Sequence, residues 1–211
     1  GSAVSRRMID YGNLFFVLHI ILFSDISHNL STLQIAPNVW VYPTNTSSRF
    51  FYIPRAISLG RAILQSVYFG QTAITAQDPF ETGIVGVVLS KLSGAPLQLQ
   101  LHTDAWSVHF QYANLANWIR VTLLSRITLR YAKGVRVVTE KVGRDAAVNG
   151  HVPPKLISVL PVFVDETSEL TTEMPVDLHQ KFPDWNIILL MVSRLEPEKN
   201  ISLALKTFKS I

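Results

Sequence analysis

The stretch that decides the expected fold reads IILLMVSRLEPEKN and runs from Ile187 to Asn200. Its first six residues are apolar without interruption, which predicts a parallel strand buried on both faces. A short polar loop follows, and the apolar periodicity that begins at Ile201 predicts a helix. In α/β proteins, ligands bind where such a strand ends and the next helix begins, at the carboxyl edge of the sheet.

Two cations in this loop, Arg194 and Lys199, lie five positions apart beside the predicted helix N-terminus. Fixed positive charges together with unpaired backbone N–H groups suit an anionic ligand such as a phosphate. On residue types alone, solvated surface charge is the simpler interpretation. The loop therefore predicts either an anion site or an ordinary charged surface.

The composition is that of a folded protein with a substantial core. Of the 211 residues, 48% are hydrophobic and 16% are charged, which excludes a disordered chain. The net charge of +4 fits nucleotides or phospholipids but is too small to predict nucleic-acid binding. Cysteine is absent, which excludes disulfides and thiolate zinc sites. Since the sequence shows neither a signal peptide nor a long apolar run, we expect a cytoplasmic protein.

Strand and helix patterns alternate along the chain, which predicts an α/β fold with a Rossmann-like, doubly wound parallel sheet. The first helix is predicted at residues 3–11 and ends at Gly12, a residue type that commonly follows a helix C-terminus. A polar segment without periodicity, residues 165–175, predicts a domain boundary. We therefore expect a first domain at residues 1–170 and the beginning of a second at residues 171–211.

Polar residues follow directly after three predicted strands, at the sheet edge where a cleft is expected. The residues are Asp78 after the strand at 72–76, His102 and Asp104 after the strand that begins at Leu97, and Glu140 after the strand at 135–139. Helix capping is an alternative role for Asp78, and a purely structural role is an alternative for His102. The strand from Leu97 alternates leucine with Gln98 and Gln100, and no sequence pattern explains these two glutamines.

Two segments resemble retaining GT-B glycosyltransferases of family 4. The sequence VSRLEPEKN, residues 192–200, resembles the segment that opens the donor domain, with serine where the family usually has glycine. The resemblance implies that Arg194 and Lys199 bind the diphosphate of a nucleotide-sugar. QDP and HTD, which contain Asp78 and His102, resemble the ends of central strands in the acceptor domain. There the matching histidine lies close to the transferred sugar and the acceptor.

The resemblance also suggests where the rest of such an enzyme would be. Gly1 stands where the glycine-rich loop near the donor phosphates would end, which predicts a further strand ahead of it. The paired carboxylates of the family fall beyond Ile211, so we expect the chain alone to be inactive.

The activity that the resemblance implies is retaining transfer of a sugar from a nucleoside-diphosphate sugar to an acceptor hydroxyl. The acceptor would be a glycan or a lipid-linked glycan, and neither a metal nor another cofactor is expected. Two other classes stay open. One is a non-catalytic Rossmann-like module that binds an anion or nucleotide, and the other is a different GT-B enzyme such as a nucleotide-sugar epimerase.

The segment 114–144 is unusually basic, with seven lysine and arginine residues against one acid, Glu140. It includes a strongly apolar stretch, residues 115–132, that predicts the longest helix of the chain. One interpretation is peripheral contact with an anionic membrane at the inner face. The other is the solvated face of an ordinary core helix.

Overall fold

The computed structural model describes residues 3–66, 71–162, 176–193, 195 and 199–209. The chain separates into two units, Gly1–Pro161 and Val162–Ile211. The domain boundary predicted at residue 170 lies outside the described residues. No helix in the described parts of the chain is long and apolar enough to cross a membrane.

Strands and helices alternate through the first unit. The strands are β1 Leu18–Leu22, β2 Leu33–Ala36, β3 Val39–Pro43, β4 Ile74–Ala76, β5 Leu97–Leu101, β6 Gly134–Val137 and β7 Ile157–Val159. The helices are α1 Ala3–Gly12, α2 Tyr52–Ser66, α3 Glu81–Ser93, α4 Val108–Gln111, α5 Leu115–Ile119, α6 Ser125–Tyr131 and α7 Glu140–Val148. A π-helical turn, Arg120–Leu124, joins α5 to α6, so the predicted long helix is interrupted.

The strands form two sheets. The first has the order β1-β3-β2, with β1 and β3 parallel and β2 antiparallel to β3. The second has the order β4-β5-β6-β7, and all of its neighbours are parallel. The α/β class and the parallel sheet predicted from the alternation are therefore confirmed. Strand β2 was not predicted from the sequence, because it is a four-residue segment within the mostly polar stretch 24–37.

Helices pack on both sides of the first sheet. Gly12 of α1 lies against Val39, since a Cβ at Gly12 would meet the Val39 side chain at 2.3 Å. Ala56 of α2 packs with Ile21, which points to the opposite face of the sheet. Helix α2 also packs on α3 through Leu89 and so continues the same helical layer toward the second sheet. Helices on opposite faces give the Rossmann-like, doubly wound arrangement that was predicted.

The core lies between the second sheet and one layer of helices. Leucine and valine side chains of β5 and β6 that share this face are at most 2% exposed: Leu97, Leu99, Leu101, Val135 and Val137. Residues of α3, α6 and α7 pack against them. The alternation of leucine along β5 thus has a direct physical cause, because every second residue enters this core.

The second unit differs from the expectation. Its described helices are α8 Leu178–Lys181 and α9 Ile201–Lys209, and Asp177 caps α8 by accepting from the backbone N–H of His179 at 2.9 Å. The buried strand predicted at residues 187–192 is wrong: the segment has no strand structure, and Val192 is 85% exposed. A strand buried on both faces needs neighbouring strands and two helical layers, and the described part of this unit contains no strand to pair with.

Candidate functional site

His102 follows β5 directly and presents an exposed imidazole at the carboxyl edge of the second sheet. Its Nε2 lies 3.2 Å from Oε1 of Gln77, the residue that follows β4. Because an amide oxygen accepts, Nε2 carries the hydrogen in this contact, and Nδ1 is left as an acceptor. The residues that follow two adjacent parallel strands therefore hold the ring in one orientation.

The pKa of His102 is lowered from its ordinary value of 6.5. Partial removal from water is the main cause, and the positive charge of Arg136 adds to it, whereas the carboxylate of Asp78 acts in the opposite direction. The imidazole is consequently neutral at pH 7. A neutral imidazole can accept a proton or a hydrogen bond from a hydroxyl, which a charged one cannot do.

The second sheet has a polar face, opposite its core face, and the two unexplained glutamines lie on it. Thr75 of β4 donates to Oε1 of Gln98 at 3.3 Å and accepts from Nε2 of Gln100 at 3.1 Å. Arg136 of β6 donates to Oε1 of Gln100 at 3.0 Å. The polar side chains at paired positions of β4, β5 and β6 thus hydrogen-bond to one another across the sheet. Gln98 and Gln100 therefore need no partner from a covering helix.

Arg136 also holds the chain where it leaves the first unit. Its guanidinium donates to the carbonyl oxygen of Leu160 at 3.2 and 3.3 Å and to that of Pro161 at 3.4 Å. These contacts fix the cation on the polar face, from which it lowers the pKa of His102. Arg136 therefore contacts the backbone that follows β7 and also lowers the pKa of His102.

Asp78 lies at the same sheet edge, and its carboxylate holds the turn before α3. Its Oδ1 accepts from the backbone N–H of Phe80 at 2.7 Å, immediately before α3. Thr82 Oγ1 accepts from the Asp78 N–H at 3.1 Å and donates to the Asp78 carbonyl at 3.2 Å. The helix-capping role considered for Asp78 is not present, because the N-cap of α3 is Phe80 and makes no side-chain cap hydrogen bond; the Asp78 carboxylate instead holds the turn before the helix and acts electrostatically on His102.

Asp104 and Glu140 lie beside a lysine that the sequence did not single out. Lys141 pairs with Oδ2 of Asp104 and, at 2.9 Å, with Oδ2 of Asp145. These two carboxylates raise the pKa of Lys141, with Asp104 as the larger cause. Glu140 is exposed in the first turn of α7. The other oxygen of Asp104, Oδ1, is buried and has no hydrogen-bond partner among the described residues.

The proposed diphosphate ligands are only partly described. Gly1 and Arg194 lie outside the described residues. Lys199 belongs to the second unit and is exposed just before α9. Asn200 caps the first turn of that helix, because its Oδ1 accepts from the backbone N–H of Leu203 at 3.3 Å. Lys199 also lines a pocket of about 410 Å³, together with Leu189 and one side of α9.

The residues that follow β4, β5 and β6 at the carboxyl edge of the second sheet thus include Asp78, His102, Asp104 and Glu140. Interactions among the described residues link Asp78 to His102, and link Asp104 to α7 through Lys141. The sequence reasoning missed Gln77 and Arg136, which orient and tune the histidine. The sequence held a signal for Arg136: Gln98 and Gln100 alternate with leucine on a central strand, and such polar residues need polar partners on the neighbouring strands.

Known proteins and metal-binding patterns give no further assignment. Among the described residues, no group of three or more histidine, aspartate or glutamate side chains is placed to hold a metal ion. No protein-family model matches the sequence, and no curated protein matches it significantly.

Proposed function

We propose that this chain contains the acceptor-side domain of a retaining glycosyltransferase of the GT-B type. The enzyme would transfer a sugar from a nucleoside-diphosphate sugar to a hydroxyl of a glycan or lipid-linked acceptor, on the cytoplasmic side of a membrane. The observation that supports this most is His102, an exposed imidazole that is neutral at pH 7 and is oriented by Gln77 at the carboxyl edge of the parallel sheet.

The proposed role of His102 follows from its protonation state and position. A neutral imidazole with an acceptor nitrogen can bind a sugar hydroxyl and keep it in place during transfer. The sheet edge is where α/β proteins bind their ligands, so a sugar there would contact the residues that follow β4 and β5. His102 is therefore proposed to position the sugar and the acceptor.

The leaving diphosphate would be stabilised by positive charge. Arg194 and Lys199 are proposed for this role on the basis of the sequence resemblance, with Gly1 at the end of the loop near the phosphates. Charge that develops on a departing diphosphate is stabilised by fixed cations, and this stabilisation requires neither a metal nor a cofactor. The nucleotide base and the sugar stay open in this proposal.

Binding is a sharper test than turnover, because it reports directly on the contact between the ligand and His102. The histidine side chains would be followed by NMR during titration with UDP- and GDP-sugars, and separately with UDP and GDP. The His102 resonance is expected to respond to the sugar nucleotide more than to the diphosphate alone. Binding should weaken in His102→Asn and remain unchanged in His28→Asn, which alters an exposed histidine elsewhere.

A separate pair of variants tests the proposed contact between Lys199 and the diphosphate. Lys199→Gln is expected to weaken binding of UDP or GDP, whereas Lys209→Gln, at the other end of α9, should leave it unchanged. If nucleotides bind without any response at His102, the binding-module alternative is favoured over the transferase. The hydrogen bond of Asp78 to the Phe80 backbone and the ion pair of Asp104 are compatible with that alternative, because both carboxylates already have structural partners.

A further inference from the structure

The segment 115–131 carries an apolar stripe on the surface of the first unit. Six large side chains are exposed at intervals of three or four residues, and the most exposed is Leu115 at 72%: Leu115, Trp118, Ile119, Leu123, Ile127 and Tyr131. On the same segment Val121, Ser125, Thr128 and Leu129 are at most 3% exposed. The segment therefore buries one side and carries apolar side chains on the other, and this outer side, which we call the 115–131 stripe, is open to solvent.

The π-helical turn helps to keep these side chains on one side. In an α-helix of 3.6 residues per turn, a residue four positions further on has rotated about 40° beyond one full turn. A stripe built on steps of four would therefore drift around a regular helix. The wider turn at Arg120–Leu124 rotates less per residue and counteracts the drift.

Cations border the stripe without being neutralised. Arg126, Arg130 and Lys133 are exposed, and among the described residues they take part in no ion pair. Lys91 adds a fourth cation, since its Nζ lies 4.0 Å from the ring centre of Tyr131. The basic residues of segment 114–144 therefore fall into two groups, those in ion pairs and those that border the stripe. Arg120 is paired with Glu81 at 2.8 Å, and Lys141 is paired with Asp104 and Asp145.

From this surface we infer that the 115–131 stripe binds the surface of a membrane that contains anionic phospholipid. Apolar and aromatic side chains enter the region between headgroups and acyl chains, while cations beside them contact lipid phosphates. Tryptophan and tyrosine, here Trp118 and Tyr131, favour this interfacial position.

A second copy of the chain is a poorer occupant than a membrane. In a two-fold dimer through this stripe, the same patch of both copies would meet, so Arg126 and Arg130 would approach their own counterparts. Like charges at close range oppose such an interface, whereas they favour an anionic surface. The inference depends on this exposed surface alone and is independent of glycosyl transfer.

The test uses the full chain and vesicles of phosphatidylcholine with or without phosphatidylglycerol, in a flotation assay. Binding is expected with phosphatidylglycerol only, to weaken with added salt, and to shift tryptophan fluorescence to shorter wavelength. Arg126→Gln with Arg130→Gln should lower binding on the order of tenfold. The matched control is Arg55→Gln with Arg61→Gln, which removes two exposed charges from α2 and should have little effect.

The apolar part is tested by Leu123→Ser with Ile127→Ser, compared with Val4→Ser and Leu14→Ser, which change two exposed apolar side chains in and directly after α1. The first pair should abolish the fluorescence shift and the second should retain it. Equal binding to both kinds of vesicle, or equal loss in the control variants, would overturn the inference. So would a dimer in solution that Leu123→Ser with Ile127→Ser converts to a monomer, because the stripe would then join two copies.

Discussion

Replacing Thr128 with valine is expected to lower the free energy of unfolding by about 1–3 kcal/mol. The Thr128 side chain is fully buried, and its hydroxyl donates to the backbone oxygen of Pro79 at 2.6 Å. Valine has nearly the same shape, so the substitution opens no cavity. Instead it removes the donor from a buried carbonyl, and a buried polar group that loses its partner is costly.

Urea unfolding followed by circular dichroism measures the effect, with the slope of the transition as a check on two-state behaviour. Thr128→Ser keeps the donor and loses one methyl group, so we expect a smaller loss, about 0.5–1.5 kcal/mol. Thr122→Val removes a hydroxyl that donates to the Trp118 carbonyl at an exposed site and should change stability by less than about 0.5 kcal/mol. Equal stabilities of Thr128→Val and Thr122→Val would refute the reasoning.

Three further predictions concern the site and the backbone. Arg136→Met should raise the pKa of His102 and Asp78→Asn should lower it, since the two charges act in opposite directions; NMR titration of the His102 ring measures both. Because the pKa of His102 is below 6.5 in the folded chain, the unfolded chain binds more protons, so stability should fall as the pH drops below 6.5, and less so in His102→Gln. Gly150→Ala should cost about 1–3 kcal/mol by urea unfolding, because its Cβ would lie 2.6 Å from a backbone oxygen of α7, whereas Gly134→Ala, with 3.9 Å of room, should be neutral.

Elements that depend on local sequence signals could be predicted. Helix α1 ends at Gly12 as its sequence indicated, and α8 begins after the cap Asp177. The leucines of β5 correctly indicated the core face of the second sheet. These predictions succeed because capping and strand alternation are set by neighbouring residues.

Elements that depend on distant partners could not be predicted in the same way. The apolar run at residues 187–192 has the composition of a buried strand, but a strand exists only where another strand supplies the ladder. Strand β2 shows the reverse case: it is short and mostly exposed, yet it pairs with β3. The two glutamines of β5 are explained only by the strand register, which places Thr75 beside Gln98 and Arg136 beside Gln100.

The contacts at the carboxyl edge also restrict which residue can perform chemistry. Asp78 could leave its present partner only by freeing the backbone N–H of Phe80 in the turn before α3, and Asp104 only by breaking its pair with Lys141. His102 is different, because its partner is the side-chain amide of Gln77, which can rotate away or share its oxygen with a ligand without disturbing a helix. A reacting group must exchange partners during the reaction, so among Asp78, Asp104 and His102 the histidine is the one for which a catalytic assignment has the smallest structural cost.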